Sequence, residues 1–220
     1  MRTTAIAMLV AAAAAGSAFA ESTVDPANKF AWQENCGWLN WRDANSGAQG
    51  VRDRATCLSG FIWGENIGWI NVGSAPANGV TYANTSGADA GVNIASGGSL
   101  AGFAWGENVG WINFSGGAMA TPPRPARFDS TTQRFRGYAW GENIGWINLD
   151  DATHFVQRIC YANCDGSTGA PVLNVNDFVC FQSRYAAGDP SANCDRSTIP
   201  PVLNVNDFVC FQSQFASGCP

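Results

Sequence analysis

The carboxylates with the most regular spacing in this chain are glutamates in a nine-residue block that occurs four times. The block reads WQENCGWLN at 32–40, WGENIGWIN at 63–71, WGENVGWIN at 105–113 and WGENIGWIN at 140–148. Hydrolysis of a glycosidic bond needs two carboxylates in different environments. Glu65, Glu107 and Glu142 stand in copies of one local context, so glycoside hydrolysis is a minor alternative. We expect no catalytic residues and no enzyme.

Other catalytic chemistry has few residues to use. The chain has one histidine, His154, beside Phe155 and Val156, where a packed or surface imidazole is the simpler interpretation. It has no nucleophile elbow, P-loop, dinucleotide fingerprint or H-E-x-x-H zinc motif. With 12 Lys and Arg against 17 Asp and Glu, it lacks the basic surface that nucleic acid requires.

Tryptophan is the second residue type in the block that is suited to binding. In one interpretation the rings form a repeating core, because every unit keeps both of them. In the other, one ring of each pair is exposed and stacks on sugar rings, while Glu and Asn bond the hydroxyl groups. The identical polar turn residues favour this second interpretation. Its candidate ligand-binding residues are Trp63, Glu65, Trp69, Trp105, Glu107, Trp111, Trp140, Glu142 and Trp146.

Short β-strands are predicted to position these residues. The stretch before a block, such as 50–63, has β-branched and aromatic runs bounded by Gly, Asn and Ser, which is typical of strands. Asn66 and Gly68 tolerate positive φ in a tight turn. Trp63 and Trp69 flank that turn and pair across it. The prediction is a mainly β fold with four Trp-rich antiparallel units, followed by a small α-helical module; whether the units form a closed or an open β structure is undecided.

The first twenty residues predict a secretory signal peptide. Arg2 precedes the apolar run Thr4–Gly16, and Ala18-Phe19-Ala20 is a small-x-small cleavage site. We expect cleavage after Ala20 and an extracellular or cell-surface location. No later stretch approaches the roughly 18 apolar residues of a transmembrane helix. The predicted parts are a signal peptide at 1–20, a β-repeat domain at 21–157 and a C-terminal module at 158–220.

The C-terminal module contains a second repeat. ANCDGSTGAPVLNVNDFVCFQS at 162–183 recurs as ANCDRSTIPPVLNVNDFVCFQS at 192–213, a polar loop followed by an apolar helical start in each copy. The tandem resembles the dockerin family, and more closely its cysteine-bearing modules that end as Gly218-Cys219-Pro220 does. The resemblance covers 158–220 and implies two EF-hand-like units, calcium in their loops, and a cohesin-like or other surface protein as partner. The calcium ligands that it implies are Asn163, Asp165, Ser167, Asn174 and Asp177, with Asn193, Asp195, Ser197, Asn204 and Asp207 in the second copy.

Both loops depart from the family pattern. The first ligand position holds Asn instead of Asp, and about three extra residues lie around Gly169-Ala170-Pro171 and around Ile199-Pro200-Pro201. Each loop offers two carboxylates, and calcium affinity follows ligand charge and loop rigidity. The alternative to a calcium site is a polar turn in which Asp177 or Asp207 is the N-cap of the following short helix.

Eight cysteines in a chain predicted to be exported indicate disulfides. Cys36 and Cys57 are the only two in the β-repeat domain, and we pair them as a staple between the first two units. The module's six cysteines allow fifteen pairings. With the resemblance in mind, the preferred set joins Cys164 to Cys180, Cys194 to Cys210, and Cys160 to Cys219.

Two functions of different classes follow from these observations. In the first, a secreted, non-catalytic modular protein is anchored to a cell-surface or scaffold protein by its dockerin-like tail. In the second, the repeated Trp, Glu and Asn hairpins bind carbohydrate, with a polysaccharide as the expected partner, and the tail targets that activity. Sugar binding requires exposed rings, whereas a purely structural domain would bury them.

Overall fold

The structure, a computed structural model, describes residues 22–167 and 169–219. The predicted signal peptide at 1–20 lies outside the described residues. The described chain forms thirteen strands up to Arg158, and then two α-helices. The predicted mainly β fold, followed by a small helical region, is confirmed.

Each block forms the turn and the flanking residues of one antiparallel hairpin. Numbered along the chain, the four hairpins are β1 (Val24–Gln33) with β2 (Gly37–Asn40), β4 (Leu58–Gly64) with β5 (Gly68–Gly73), β7 (Leu100–Gly106) with β8 (Gly110–Asn113), and β11 (Tyr138–Gly141) with β12 (Gly145–Asn148). The two tryptophans of a block face each other directly, as Trp63 does Trp69. Gly68 has a φ of 75°, where a side chain would be strained, so the turn requires glycine at this position.

Five further strands extend the sheet at the strand ends away from the block turns. They are β3 (Arg52–Asp53), β6 (Val92–Ile94), β9 (Arg127–Asp129), β10 (Arg134–Arg136) and β13 (Val156–Arg158). β3 pairs with the start of β4, and β6 pairs with the start of β7. β13 pairs with β1, β10 pairs with β13, and β9 pairs with β10.

The four hairpins join edge to edge into one closed barrel of eight strands. Neighbouring hairpins meet in one register, in the pairs Leu39↔Gly64, Ile70↔Gly106, Ile112↔Gly141 and Ile147↔Gln33. The last pair connects β12 to β1 and completes the ring. Because each hairpin edge is covered by the next hairpin, the blocks build a single barrel instead of four separate repeat units.

Strand alternation decides which residues fill the barrel. The inward-facing residues are at most 2 % exposed: Ala31, Leu39, Ile62, Ile70, Ala104, Ile112, Ala139 and Ile147. The alternating tryptophans face outward, and the six in the first three blocks are 36–43 % exposed. The interpretation that the paired block rings form the core is therefore wrong. Only Trp41 is fully buried among the nine tryptophans, against Phe114 and Phe135.

The helical region consists of α1 (Val175–Ala186) and α2 (Val205–Ser217). The rings of Phe181 and Phe211 stack at 4.3 Å and form the centre of its own small core. Each helix begins with the same capping box, in which Asn174 or Asn204 is the N-cap residue. The prediction that Asp177 and Asp207 are the N-caps is wrong by one turn. The asparagine side chain occupies the N-cap position, and the carboxylate of the aspartate three residues later accepts the backbone N–H of that asparagine.

Three disulfides hold the helical region, and they are the preferred pairings Cys160–Cys219, Cys164–Cys180 and Cys194–Cys210. Cys36 and Cys57 are free and buried, so the bond predicted between them is wrong. Cys36 lies in the turn that follows β1, whereas Cys57 precedes β4, at the other end of the barrel strands. Three disulfides indicate an oxidising environment. No helix in residues 22–167 and 169–219 has the length and hydropathy to cross a membrane.

A buried ion cluster connects the helical region to the barrel. Asp53 of β3 is 3 % exposed and lies 2.8 Å from Arg196 and 3.2 Å from Arg158. Burial alone would raise the pKa of Asp53, but the two guanidinium groups outweigh burial and hold the pKa below its ordinary value. Arg196 belongs to the loop of the second copy, and the first copy has Gly166 at the equivalent position. The second loop is therefore the one fixed to the barrel by this ion pair.

Candidate functional site

The outer wall of the barrel carries four groups of three aromatic rings, which we call the aromatic ladders. The two tryptophans of each block meet edge to face, with ring centroids 4.6–5.2 Å apart. A third ring lies 5.6–6.2 Å from the second tryptophan. In chain order, the ladders are Phe30–Trp38–Trp32, Phe61–Trp69–Trp63, Phe103–Trp111–Trp105 and Tyr138–Trp146–Trp140.

Sequence reasoning found the tryptophans of the ladders but missed the third ring. The signal was present, because every unit has an aromatic residue two positions before its first tryptophan. Residues two apart in a strand lie on one face. Each ladder is therefore a longer continuous aromatic surface than a tryptophan pair.

The ladders differ in how much of their surface is covered. In the third ladder Trp105 and Trp111 are each 43 % exposed and Phe103 is 37 % exposed. In the first ladder Trp38 lies 4.7 Å from the imidazole of His154, so the single histidine packs on an aromatic ring. Exposed apolar patches of this kind mark interaction sites on soluble proteins.

The block glutamates are exposed at the tips of the four turns. Within the described chain, the side chains of these four glutamates, Glu34, Glu65, Glu107 and Glu142, make no hydrogen bond or ion pair. They occupy equivalent places on four equivalent hairpins, so their environments do not contrast as those of an acid and a base must. They give the turn end of the barrel a negative rim beside the ladders.

The block asparagines have structural roles. The fourth residue of each block donates its amide N–H to a carbonyl in the turn of the preceding hairpin, at 2.8–3.1 Å, in the pairs Asn35–Ile144, Asn66–Cys36, Asn108–Ile67 and Asn143–Val109. Gly68 takes the positive φ predicted for the turn, but Asn66 does not. The ninth residue accepts the N–H two positions later, as Asn113 does with Ser115 just after β8 ends. The identical asparagines therefore follow from barrel closure and do not by themselves indicate a binding role.

A loop next to the third ladder forms a groove. Residues 84–90, between β5 and β6, stand beside Phe103 and Trp111 and border two adjoining hollows of ≈ 300 and ≈ 310 Å³. Both hollows are lined by Gly87, Ala90, Phe103 and Trp111. Sequence reasoning did not identify this loop as part of a site, because its approach to the ladder depends on how the chain folds back after β5.

The residues that the dockerin resemblance assigns to calcium come together in each loop, but their polar groups bond within the protein. Asp177 is fully buried, and its carboxylate accepts the N–H groups of Asn174 at 2.8 Å and Asp165 at 3.2 Å. The hydroxyl of Ser167 donates to the carbonyl of Val172. The second loop repeats these contacts with Asp207, Asn204, Asp195, Ser197 and Val202.

These contacts do not fit a calcium ion well. Each loop has two carboxylates, and one of them is already used in a capping box. Asn163 Oδ1 is buried and has no hydrogen-bond partner among the described residues, but its counterpart on Asn193 accepts the N–H of Ser197. No group of three or more His, Cys, Asp or Glu side chains in the described residues is placed to hold a metal ion. A disulfide and a capping box connect each loop to the helix that follows it.

The two helices also expose apolar side chains. Val175 and Val179 of α1, and Val205 and Val209 of α2, are 56–71 % exposed. Residues four apart lie on one helix face. Because the two helices begin with the same sequence, the module presents the same valine pair twice.

Comparison of the chain with protein-family models, with curated proteins and with solved structures gives no match in any of the three.

Proposed function

We propose that this protein is a secreted, non-catalytic carbohydrate-binding protein whose C-terminal module attaches it to a surface protein. The observation that carries the proposal is the outward orientation of the aromatic ladders. Indole rings offer a large apolar face with a polar N–H at one edge. Such rings, combined with a few polar groups, form the usual lining of a small-molecule site.

The architecture of the barrel does not require tryptophan on the outer wall. The inward residues fill the barrel, and glycine and asparagine form the turns. A cross-strand pair contributes only roughly 0.2–1 kcal/mol. In the first three ladders, 36–43 % of the surface of each tryptophan stays in contact with water. Burying apolar surface would stabilise the protein by about 25 cal/mol per Å². Ligand binding gives this exposed area a role.

Tryptophan fluorescence tests the proposal directly, because all nine tryptophans lie before residue 147 and the tail has none. The full chain is titrated with a panel of polysaccharides, and iodide quenching is measured with and without each one. A bound polysaccharide is expected to protect the ladder rings, while buried Trp41 stays inaccessible throughout. Val179→Ala, a change in the tail, is the matched control and should behave as the wild type. If no polysaccharide changes the emission or its quenching, the proposal is wrong.

A second function, anchoring by the tail, is favoured by the duplicated valine pairs. A dockerin-like module of this kind would meet a cohesin-like or other surface protein through these helix faces. In this part of the proposal the disulfides replace calcium as the staple, because the carboxylates of Asp177 and Asp207 already accept the backbone N–H groups of Asn174 and Asn204. The module then needs no calcium to keep its partner.

The anchoring function is tested by capture with immobilised, oxidised full-length protein from an envelope extract of the producing organism. A partner is expected to be retained both with calcium and with EDTA. The double variant Val175→Asp with Val205→Asp should lose that partner, since it places a charge on both faces. If the partner is lost in EDTA, its binding depends on calcium. If the double variant still retains the partner, the partner does not bind through the valine faces.

A further inference from the structure

The geometry points to the third aromatic ladder as the binding site of the barrel, and to a neutral glycan segment as its ligand. The site is the groove between that ladder and residues 84–90. This inference rests on the proposed carbohydrate-binding function and makes it more specific in both place and chemistry. The four ladders share one sequence pattern, and residues 84–90 add a side wall to the third ladder.

The floor of the groove is aromatic and open to solvent. Phe103, Trp105 and Trp111 follow one another along it, with centroids 6.1 Å apart for Phe103–Trp111 and 4.8 Å for Trp105–Trp111. The two hollows beside these rings have volumes of ≈ 300 and ≈ 310 Å³. Small-molecule sites occupy about 300–1,000 Å³, so the pair of hollows suits a short segment of a sugar chain.

The wall of the groove is held in place by side chains of its own loop. Asp89 accepts the N–H groups of Ala77 and Ala83, and Asn84 accepts that of Gly91. Tyr82 is 4 % exposed and donates its hydroxyl to the carbonyl of Leu58. A loop fixed in this way forms a site before any ligand arrives, which lowers the entropic cost of binding.

The chemistry of the lining selects a neutral, hydroxyl-bearing ligand. Within the part of the chain that the structure describes, no charged side chain lines either hollow. Thr85 and Ser86 have hydroxyl groups, and Asn71 an amide nitrogen, without a protein partner in the described chain. These groups can bond sugar hydroxyls while the rings stack on the apolar faces of the sugar. The negative rim formed by the block glutamates opposes an anionic polysaccharide.

Gly87 offers a way to close the groove without disturbing the fold. It lines both hollows, and a Cβ at this position would meet no atom within 4 Å. Gly169, in the tail, is equally unhindered and serves as the matched control. Gly87→Trp should fill the groove, whereas Gly169→Trp should leave it open.

The test is calorimetric titration of the full chain with hexasaccharides of β-1,4-glucose, β-1,4-xylose, β-1,4-mannose, N-acetylglucosamine and, as the anionic comparison, galacturonic acid. At least one neutral probe is expected to bind, and galacturonate more weakly. Gly87→Trp should weaken binding at least tenfold. Gly169→Trp should stay within about threefold of the wild type. Trp69→Ala, on the second ladder, should weaken binding less than Gly87→Trp does. Thermal unfolding of each variant checks that the fold is kept.

The contrary outcomes separate the two proposals. If the wild type binds a neutral probe but Gly87→Trp binds it equally well, the groove is excluded and the carbohydrate-binding function stands. Loss of binding in Trp69→Ala alone would move the site to the second ladder. Preference for galacturonate would overturn the neutral ligand. If no probe binds and no polysaccharide changes the fluorescence, both proposals fail.

Discussion

Gln33 and Cys36 differ from the corresponding residues of the other three blocks, and they differ together. Elsewhere the two positions hold glycine and a larger aliphatic residue. A Cβ at Gly64 would lie 2.6 Å from Cγ1 of Ile67, so a side chain at the first position excludes isoleucine at the second. In the first block the small thiol leaves room, and the fully buried Gln33 accepts the N–H of Cys36 and donates to the carbonyl of Ile144.

The joint change at positions 33 and 36 explains why a cysteine occupies position 36 although it forms no disulfide. Its role is its small volume at the end of the barrel. Burial raises the pKa of Cys36, and a buried thiol with a raised pKa is inert. Cys57 is inert for the same reason, because burial raises its pKa to about 11.

The coupling of the two positions can be measured. We expect Cys36→Ile to lower the free energy of unfolding by about 1–3 kcal/mol, because it overfills the space beside Gln33. The double variant Gln33→Gly with Cys36→Ile recreates the other blocks and should recover most of that loss. Urea unfolding of the wild type, both single variants and the double variant gives the interaction energy. Additive effects would contradict this packing argument.

At the scale of the hairpins, a repeated side-chain bond reinforces the backbone pairing that closes the barrel. The asparagine at the fourth position of each block connects its own turn to the turn of the preceding hairpin. These four bonds form a ring around one end of the barrel. The side chain of the glutamate before each of these asparagines has no such partner among the described residues. Adjacent residues in the same turn therefore have opposite roles, one structural and one directed to solvent.

Asn143→Ala and Glu142→Ala make a matched pair that tests this division. Removing the amide leaves the carbonyl of Val109 without its bond, and we expect a loss of about 0.5–1.5 kcal/mol in the free energy of unfolding. Glu142→Ala should change it by less than about 0.5 kcal/mol, as is usual for exposed positions. Both values come from chemical unfolding monitored by tryptophan fluorescence. Equal effects of the two variants would argue against the ring of bonds.

At the scale of the whole molecule, one buried carboxylate holds two parts of the chain together. Asp53 lies in the barrel extension, Arg158 ends the last strand, and Arg196 comes from the second loop of the tail. Removing one partner of a buried ion pair leaves a charge without compensation, which typically costs 3–5 kcal/mol. The ion pairs therefore fix the tail in one position against the barrel, and its valine faces stay exposed.

The effect of Asp53→Asn should depend on pH in a defined direction. The pKa of Asp53 is lowered in the folded state, so its contribution is complete above the ordinary value of about 3.9 and is lost as the pH falls through the lower, folded-state pKa. We expect the variant to be less stable than the wild type near neutral pH by about 3 kcal/mol or more. That difference should shrink in strongly acidic solution.

Urea unfolding at neutral pH, at pH about 5 and at pH about 3 measures this difference. Asp43→Asn is the control, because Asp43 forms a surface pair with Lys29 and its side chain is 41 % exposed. Such pairs contribute about 0–1 kcal/mol. A difference between wild type and Asp53→Asn that is constant with pH would rule out the charge of Asp53 as its source.

The sequence by itself determined the parts of this protein that depend on neighbouring residues. The hairpin turns follow from glycine at fixed positions, as at Gly68. Among fifteen possible pairings, the preferred short disulfides of the tail, each joining a loop to the next helix, are the ones that the structure has. The helices begin close to where the Asn-Asp pattern predicts, and only the choice of Asn174 as the cap was missed. Each of these features is decided within one short segment.

Tertiary structure alone decided which face of each strand became the core. Both faces are apolar, with tryptophan on one and alanine, leucine or isoleucine on the other, so their alternation does not reveal the interior. Closure of eight strands leaves an interior just wide enough for side chains to fill. Bulky indole rings are therefore directed to the wall and small aliphatic residues to the inside. The same closure separates Cys36 from Cys57, while longer-range folding places Asp53 beside Arg196 and brings residues 84–90 to the third ladder.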